Sequence, residues 1–227
     1  MQRFFDIVFS GIALVLLSPL LLPLMFILRV TGEGEIFFPQ NRVGRGGKDF
    51  KLYKFATMLK DSPNMGTGTV TVKNDPRVLP MGGLLRKTKI NELPQLINIF
   101  KGDMSVIGPR PQTQRCFDAF PESAQNDITK ARPGLSGIGS IVFRSEENMM
   151  HANADPDRLY DDVIMPYKGK LESWYVRNNS VWNYFLLIAL TIFVILSRST
   201  HLIFRCYSSL PRPPAALNTF ISSDYYE

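Results

Sequence analysis

Two stiff loops each present an arginine. Gly108-Pro-Arg-Pro111 carries Arg110, and Arg132 opens the glycine-rich run Arg132-Pro-Gly-Leu-Ser-Gly-Ile-Gly139. A guanidinium fork held on a rigid loop loses little entropy on binding and matches two oxygens of one phosphate. Arg144 follows on a stretch that reads as a strand, and Arg86, Lys87 and Lys89 stand just ahead of Asn91. Asn91, with Pro94 three residues on, predicts a helix N-cap followed by proline in the first turn. A helix start beside those cations is a place to hold phosphate. Any one of these arginines is equally well read as part of a solvated basic face. The rigid setting of Arg110 and Arg132 is what favours phosphate chemistry. No GxxxxGK[ST] and no GxGxxG occurs, so neither a P-loop nor a dinucleotide site is indicated.

Composition narrows the partners. The 227-residue chain carries 26 Lys and Arg against 20 Asp and Glu, a net charge of +6 that favours phosphates, nucleotides or an anionic leaflet. Aromatic residues are hardly interleaved with the basic ones, so nucleic acid is not an expected partner. Cys116 and Cys206 form no CxxC, and two distant cysteines make no disulfide framework. Only His151 and His201 are left for a histidine-based metal site, and both read as surface or structural residues.

The elements that must position these residues are legible in part. Lys48 to Phe55 alternates, with Phe50 and Leu52 against a core and Tyr53 at its margin, which predicts a short strand or hairpin. Asn74-Asp-Pro-Arg77 is a turn by composition. Leu93, Leu96, Ile97 and Phe100 fall at helical spacing and predict one buried face. From Ile7 to Leu28 run 22 residues without a charge, long enough to cross a bilayer. The run is long for a signal peptide and no small-x-small cleavage site follows it. Ser18-Pro19 interrupts it midway and Pro23 again, so a bent span and a re-entrant hairpin are both consistent with it. Val181 to Leu196 is a second apolar stretch, with Trp182 and Tyr184 at its start and Arg198, His201 and Arg205 after it. Those flanks favour a helix lying in the interface over a span. The proline-rich tail after Cys206 reads as a poorly ordered terminus.

Several strings then occur in one order: Phe5-Asp6, Leu17-Ser-Pro19, Phe38-Pro-Gln-Asn-Arg-Val-Gly44, Tyr53-Lys-Phe-Ala-Thr-Met58, Asn74-Asp-Pro-Arg77, Leu85-Arg-Lys-Thr88, Asn91-Glu-Leu-Pro-Gln95, Lys101-Gly-Asp-Met-Ser105 and Gly108-Pro-Arg-Pro111. Each alone is weak. Together they resemble the bacterial sugar transferases, monotopic polyprenol-phosphate phosphoglycosyl transferases, over most of the chain. The resemblance implies a helix-rich α/β protein, monotopic in the membrane, with an N-terminal re-entrant helix hairpin bent at Ser18 and Pro19, and interfacial helices. Residues 1–30 would be the re-entrant helix, 31–180 a cytosolic catalytic domain, 181–205 an interfacial helix and 206–227 a flexible tail. The expected place is the cytoplasmic face of the bacterial inner (plasma) membrane.

The implied activity moves a sugar-1-phosphate from a UDP-sugar to undecaprenyl phosphate and releases UMP, at the first membrane step of surface polysaccharide or glycoconjugate synthesis. Membrane lipids and downstream glycosyltransferases are further expected partners, and Mg²⁺ is the expected cofactor. Family members use an Asp-Glu dyad whose aspartate attacks the donor. Carried over, Asn91 and Glu92 are the catalytic pair, Glu92 the metal ligand, and Arg86, Arg110, Arg132 and Arg144 the phosphate holders. This chain departs from the pattern at Asn91, where the dyad has aspartate, and at Ala56, where the pattern has arginine. One negative and one positive charge are lost together, which suggests that positions 56 and 91 face one site. An amide is a poor nucleophile toward phosphorus. Either Glu92, or else Asp75 or Asp103, attacks instead, or the acceptor attacks the donor directly. The alternative function is a non-catalytic binder of lipid phosphate or UDP-sugar that partners an active transferase.

Overall fold

The apolar N-terminal run forms one helix. In the computed structural model, which describes residues 1–65, 75–144, 146–151, 155–197 and 199–222, α1 (Gln2–Val30) holds Pro19 and Pro23 inside it. The expected break at Ser18-Pro19 therefore does not divide it into two elements. A proline removes one ladder hydrogen bond and helical bonding resumes beyond it; Ser18 Oγ donates to the Val15 carbonyl at 2.7 Å. The helix is long and apolar enough to cross a membrane. Ile12, Val15, Leu16, Leu22 and Phe26 remain exposed along it, an apolar surface of the kind that marks a membrane or partner contact.

Two strands follow, β1 (Phe37–Val43) and β2 (Asp49–Phe55), paired as a two-stranded sheet. Then come α2 (Gly82–Lys87), a 3-10 turn (Ile90–Glu92), α3 (Gln95–Lys101) and β3 (Ser105–Ile107). Next are α4 (Gln114–Asp118), α5 (Glu122–Ile128), β4 (Gly134–Ser136) and α6 (Ile138–Val142). The chain continues through α7 (Glu146–His151), α8 (Pro156–Leu159), a π-helical turn (Tyr160–Ile164) and α9 (Met165–Arg177). It ends in α10 (Val181–Ser197), α11 (His201–Cys206) and α12 (Ala215–Ser222). The fold is helix-rich α/β.

These elements form two compact units, and their division differs from the domains expected. One comprises residues 4–41 and 51–102, so α1 belongs with the hairpin base and α2 and α3 rather than standing apart. Its core joins Leu21, Leu24 and Leu28, one stripe of α1, to Phe55 and Leu85. Phe37 stacks on Phe55 with ring centroids 5.7 Å apart. Asn98 replaces a strand neighbour for β2: its Oδ1 accepts the Tyr53 N–H at 2.9 Å and its Nδ2 donates to the Lys51 carbonyl at 2.8 Å. That bond pair explains why the buried face of α3 is Gln95, Leu96, Asn98 and Ile99, whereas Phe100, expected inside, is half exposed.

The other unit comprises residues 1–3, 42–50 and 103–227. Its centre is α9, which packs on α5 and α6. Val43, Phe117, Phe120, Ala124, Ile128 and Met165 form one core cluster. In α10, Tyr184, Leu187, Leu190 and Val194 are buried while Trp182, Phe185, Ile192, Phe193 and Leu196 face outward. The described part of the expected flexible tail is folded: Leu210, Leu217 and Ile221 are buried, and the Pro211 carbonyl accepts the Tyr167 hydroxyl at 2.8 Å. Apolar residues spaced at helical intervals among the prolines give it a face to bury. Residues 223–227, Asn74, Arg198 and the side chains of His151 and His201 lie outside the described residues.

Candidate active site

The two arginine loops touch, backbone against backbone. Strands β3 and β4 run parallel, with Ser105 opposite Gly134 and Ile107 opposite Ser136. The second glycine-rich loop is thus partly a strand. Gly108 N–H donates to the Ser136 carbonyl at 2.9 Å and Gly134 N–H to the Pro109 carbonyl at 2.8 Å. A Cβ on Gly108 would stand 2.3 Å from the Arg132 carbonyl oxygen, and one on Gly134 would stand 2.1 Å from the Gly108 nitrogen. Neither position admits a side chain. The contact joins the backbones of the two loops; Arg110 is exposed and Arg132 half-buried. The Arg110 guanidinium donates no hydrogen bond among the described residues, which leaves it for an anion. Arg144, also exposed, follows α6 in a turn and not on a strand; its Nη2 stands 3.5 Å from the Ile195 carbonyl.

Beneath the Gly108–Pro111 loop lies a buried carboxylate that sequence reasoning missed. The Arg110 N–H donates to Glu172 Oε1 at 3.3 Å, and Oε2 has no hydrogen-bond partner. Burial pushes the Glu172 carboxyl up to about 7, against the Arg110 N–H and the charges of Lys168 and Arg110, which pull it down. Lys168, one turn earlier, is buried too and stands 2.6 Å from Glu146. Burial pulls the Lys168 ammonium below its usual range, and the Glu146 carboxylate resists that. The signal was in the sequence: Lys168 and Glu172 share one helical face with Leu171 and Tyr175.

The other unit holds the remaining expected residues. Asn91 is not an N-cap. Lys89 takes a left-handed backbone, φ 60°, and starts the 3-10 turn that carries Asn91 and Glu92, while α3 begins only after Pro94. The helix start expected to hold phosphate is therefore absent here, and the turn presents the pair instead. Asn91 Oδ1 is buried with no hydrogen-bond partner. The Glu92 carboxylate lies 3.6 Å from the Lys54 ammonium, a partner not foreseen. Arg86 is half-buried, its guanidinium 3.1 Å from the Met58 sulfur. Ala56 is buried in the same unit. Asp75 is engaged by Arg77, at 2.6 Å in a buried ion pair, so it is no free nucleophile. Arg77 also donates to the carbonyls of Ser62 and Met65.

The donor set suits one kind of metal. Among the described residues no three or more His, Cys, Asp or Glu side chains gather into a cation site. A hard cation that keeps water and takes phosphate oxygens as ligands needs only one or two protein oxygens. Glu92, beside an orphaned acceptor on Asn91, meets that need.

The described residues thus include a backbone contact between two arginine-bearing loops, a turn carrying Asn91 and Glu92, and a helix long and apolar enough to cross a membrane. The chain belongs to the bacterial sugar transferase family, whose sequence model matches residues 1–198. It is 35% identical over 198 residues to an Aeromonas hydrophila protein named UDP-N-acetylgalactosamine-undecaprenyl-phosphate N-acetylgalactosaminephosphotransferase, covering 86% of this chain and 44% of that one. It is 33% identical over 213 residues to the undecaprenyl-phosphate galactose phosphotransferase of Salmonella typhimurium, covering 87% of this chain and 41% of that one. With the exopolysaccharide production protein ExoY of Rhizobium meliloti it shares 32% identity over 215 residues, 88% of each chain. The chain thus spans less than half the length of the first two relatives and most of the third.

Proposed function

We propose that this protein transfers a sugar-1-phosphate from a UDP-sugar to undecaprenyl phosphate and releases UMP, at the start of polysaccharide or glycoconjugate synthesis. The observation that carries the reading is the backbone contact between the loop that presents Arg110 and the loop that opens with Arg132. It suits a donor with two linked phosphates. The names of the relatives supply the substrate classes.

Because Asn91 offers no carboxylate, the acceptor attacks directly. An oxygen of undecaprenyl phosphate forms a bond to the β-phosphorus of the donor. The bond from that phosphorus to the bridging oxygen breaks, and UMP leaves with the electron pair. Arg110 and Arg132 hold the equatorial oxygens, with Arg86 and Arg144 as further cations, and Asn91 Nδ2 donates to a phosphate oxygen. Glu92 would hold Mg²⁺ with Asn91 Oδ1 beside it; bound there, the ion would neutralise charge on the departing UMP.

The same proposal includes the topology. α1 bends at Ser18-Pro19 and returns to the cytoplasmic face of the inner membrane. α10 lies in the interface with its apolar side toward lipid, so that a soluble donor meets a lipid phosphate at the surface. Downstream glycosyltransferases take the product. A second reading, favoured by Asn91, is a non-catalytic binder of the same ligands. UMP release from a panel of UDP-sugars, with undecaprenyl phosphate and Mg²⁺, separates the two: a binder releases none.

A further inference from the structure

We propose that Glu172 is a positioning residue that sets the direction of Arg110 from beneath its loop, and that Gly139 has no side chain in order to admit it. The proposal rests on the transferase reading, in which Arg110 holds donor phosphate. Glu172 is 3% exposed, on the buried face of α9. Its Oε1 accepts the Arg110 N–H. On the far side, a Cβ on Gly139 would stand 2.3 Å from the same oxygen. The carboxylate is therefore confined between α6 and the loop. Tyr175, one turn further along α9, donates its hydroxyl to the Ile107 carbonyl at 3.1 Å, so this helix grips both β3 and the loop that leaves it.

The loop's sequence makes that one hydrogen bond decisive. Pro109 and Pro111 have no N–H, so Arg110 carries the only amide donor of the three residues. Tying it down fixes the backbone from which the guanidinium projects. A buried carboxylate with one oxygen unpartnered costs stability, and an apolar residue of similar volume would avoid that cost. What the carboxylate supplies in return is the acceptor for this amide.

The test compares wild type with Glu172→Ala, Glu172→Gln, Arg110→Ala and the double variant Glu172→Ala/Arg110→Ala. Hydrogen–deuterium exchange over residues 106–114 reads the loop, and UMP release reads the reaction. Glu172→Ala should speed exchange in the loop and lower kcat/KM by up to about 10²-fold, the scale of a roughly 1 Å misplacement. The double variant should be no slower than Arg110→Ala alone, because the two act through one group. Glu172→Gln, which keeps an acceptor oxygen in the same volume, should retain slow exchange and most activity. Unchanged exchange in Glu172→Ala overturns the proposal, and so do losses that multiply in the double variant. If Glu172→Ala does not fold, Glu172→Asp replaces it: one methylene short, it also loses the Arg110 N–H. If wild type releases no UMP from any donor, the transferase reading falls, and the exchange arm still decides whether Glu172 holds the loop.

Discussion

The Lys54 ammonium stands 3.6 Å from the Glu92 carboxylate, with each side chain only about a fifth exposed. On the proposed reading, neutralising Glu92 removes a metal ligand; it also leaves a half-buried cation without this partner. Glu92→Gln should lower UMP release by about 10²-fold or more, the scale for a catalytic or metal-binding group. Full activity in that variant would remove the dyad turn from the site.

Direct attack and a covalent route part on trapping. Donor labelled in the sugar, incubated without acceptor, should leave no stoichiometric label on the wild-type protein. Asn91→Asp places a carboxylate on the same turn and should bring labelled adduct in. Adduct on any wild-type carboxylate overturns direct attack.

Arg110→Lys and Arg132→Lys keep the charge and lose the fork. Each should reduce kcat/KM about 10-fold or more, because a point charge does not match two phosphate oxygens at once. Wild-type kinetics in both would mark these arginines as surface charges.

Glu172 gives stability a pH dependence. Its carboxyl, pushed up to about 7 when folded, returns to the ordinary glutamate range of about 4.3 on unfolding. Between those values the folded chain binds more protons than the unfolded one, so stability is fullest at the acid end and falls as pH rises to about 7. Lys168 and Arg110 face the group, with Glu146 behind Lys168. Glu172→Gln does not titrate. Its melting temperature should pull ahead of wild type by several degrees, about 2–4 °C per kcal/mol, as pH is raised from acid to alkaline. A gap that stays constant with pH would place the titration elsewhere.

The topology is tested at the two ends of α1. Cysteines placed at Gln2 and Glu33 should both be labelled from the cytoplasmic side, and opposite-side labelling refutes the hairpin. Pro19→Ala restores a ladder bond at a position where proline costs roughly 3 kcal/mol, and should convert the hairpin to a span.

What was legible in the sequence is what local chemistry decides. The uncharged runs became α1 and α10, and the alternating stretch became β2, because hydropathy and its period act over a few residues. The proline and glycine loops were legible for the same reason. Asn91 was misread as a cap because nothing nearby announces that Lys89 turns left-handed. Phe100 was misplaced because the inner face of α3 is set by the Asn98 bonds to Lys51 and Tyr53, more than 40 residues away in sequence. Glu172 was passed over because its partner, the Arg110 amide, lies 62 residues away along the chain; only its place in the helical phase hinted at burial.

The glycine contact between the two arginine loops bears on how such a protein can evolve. With no side chain between Gly108 and Gly134, there is nothing there for mutation to trim or enlarge. The gap between the loops is a constant of the backbone, whatever donor arrives. If these loops hold the diphosphate of a sugar donor, as proposed, preference for one sugar over another must be written in other residues, and a lineage can exchange its sugar while that grip is inherited unchanged.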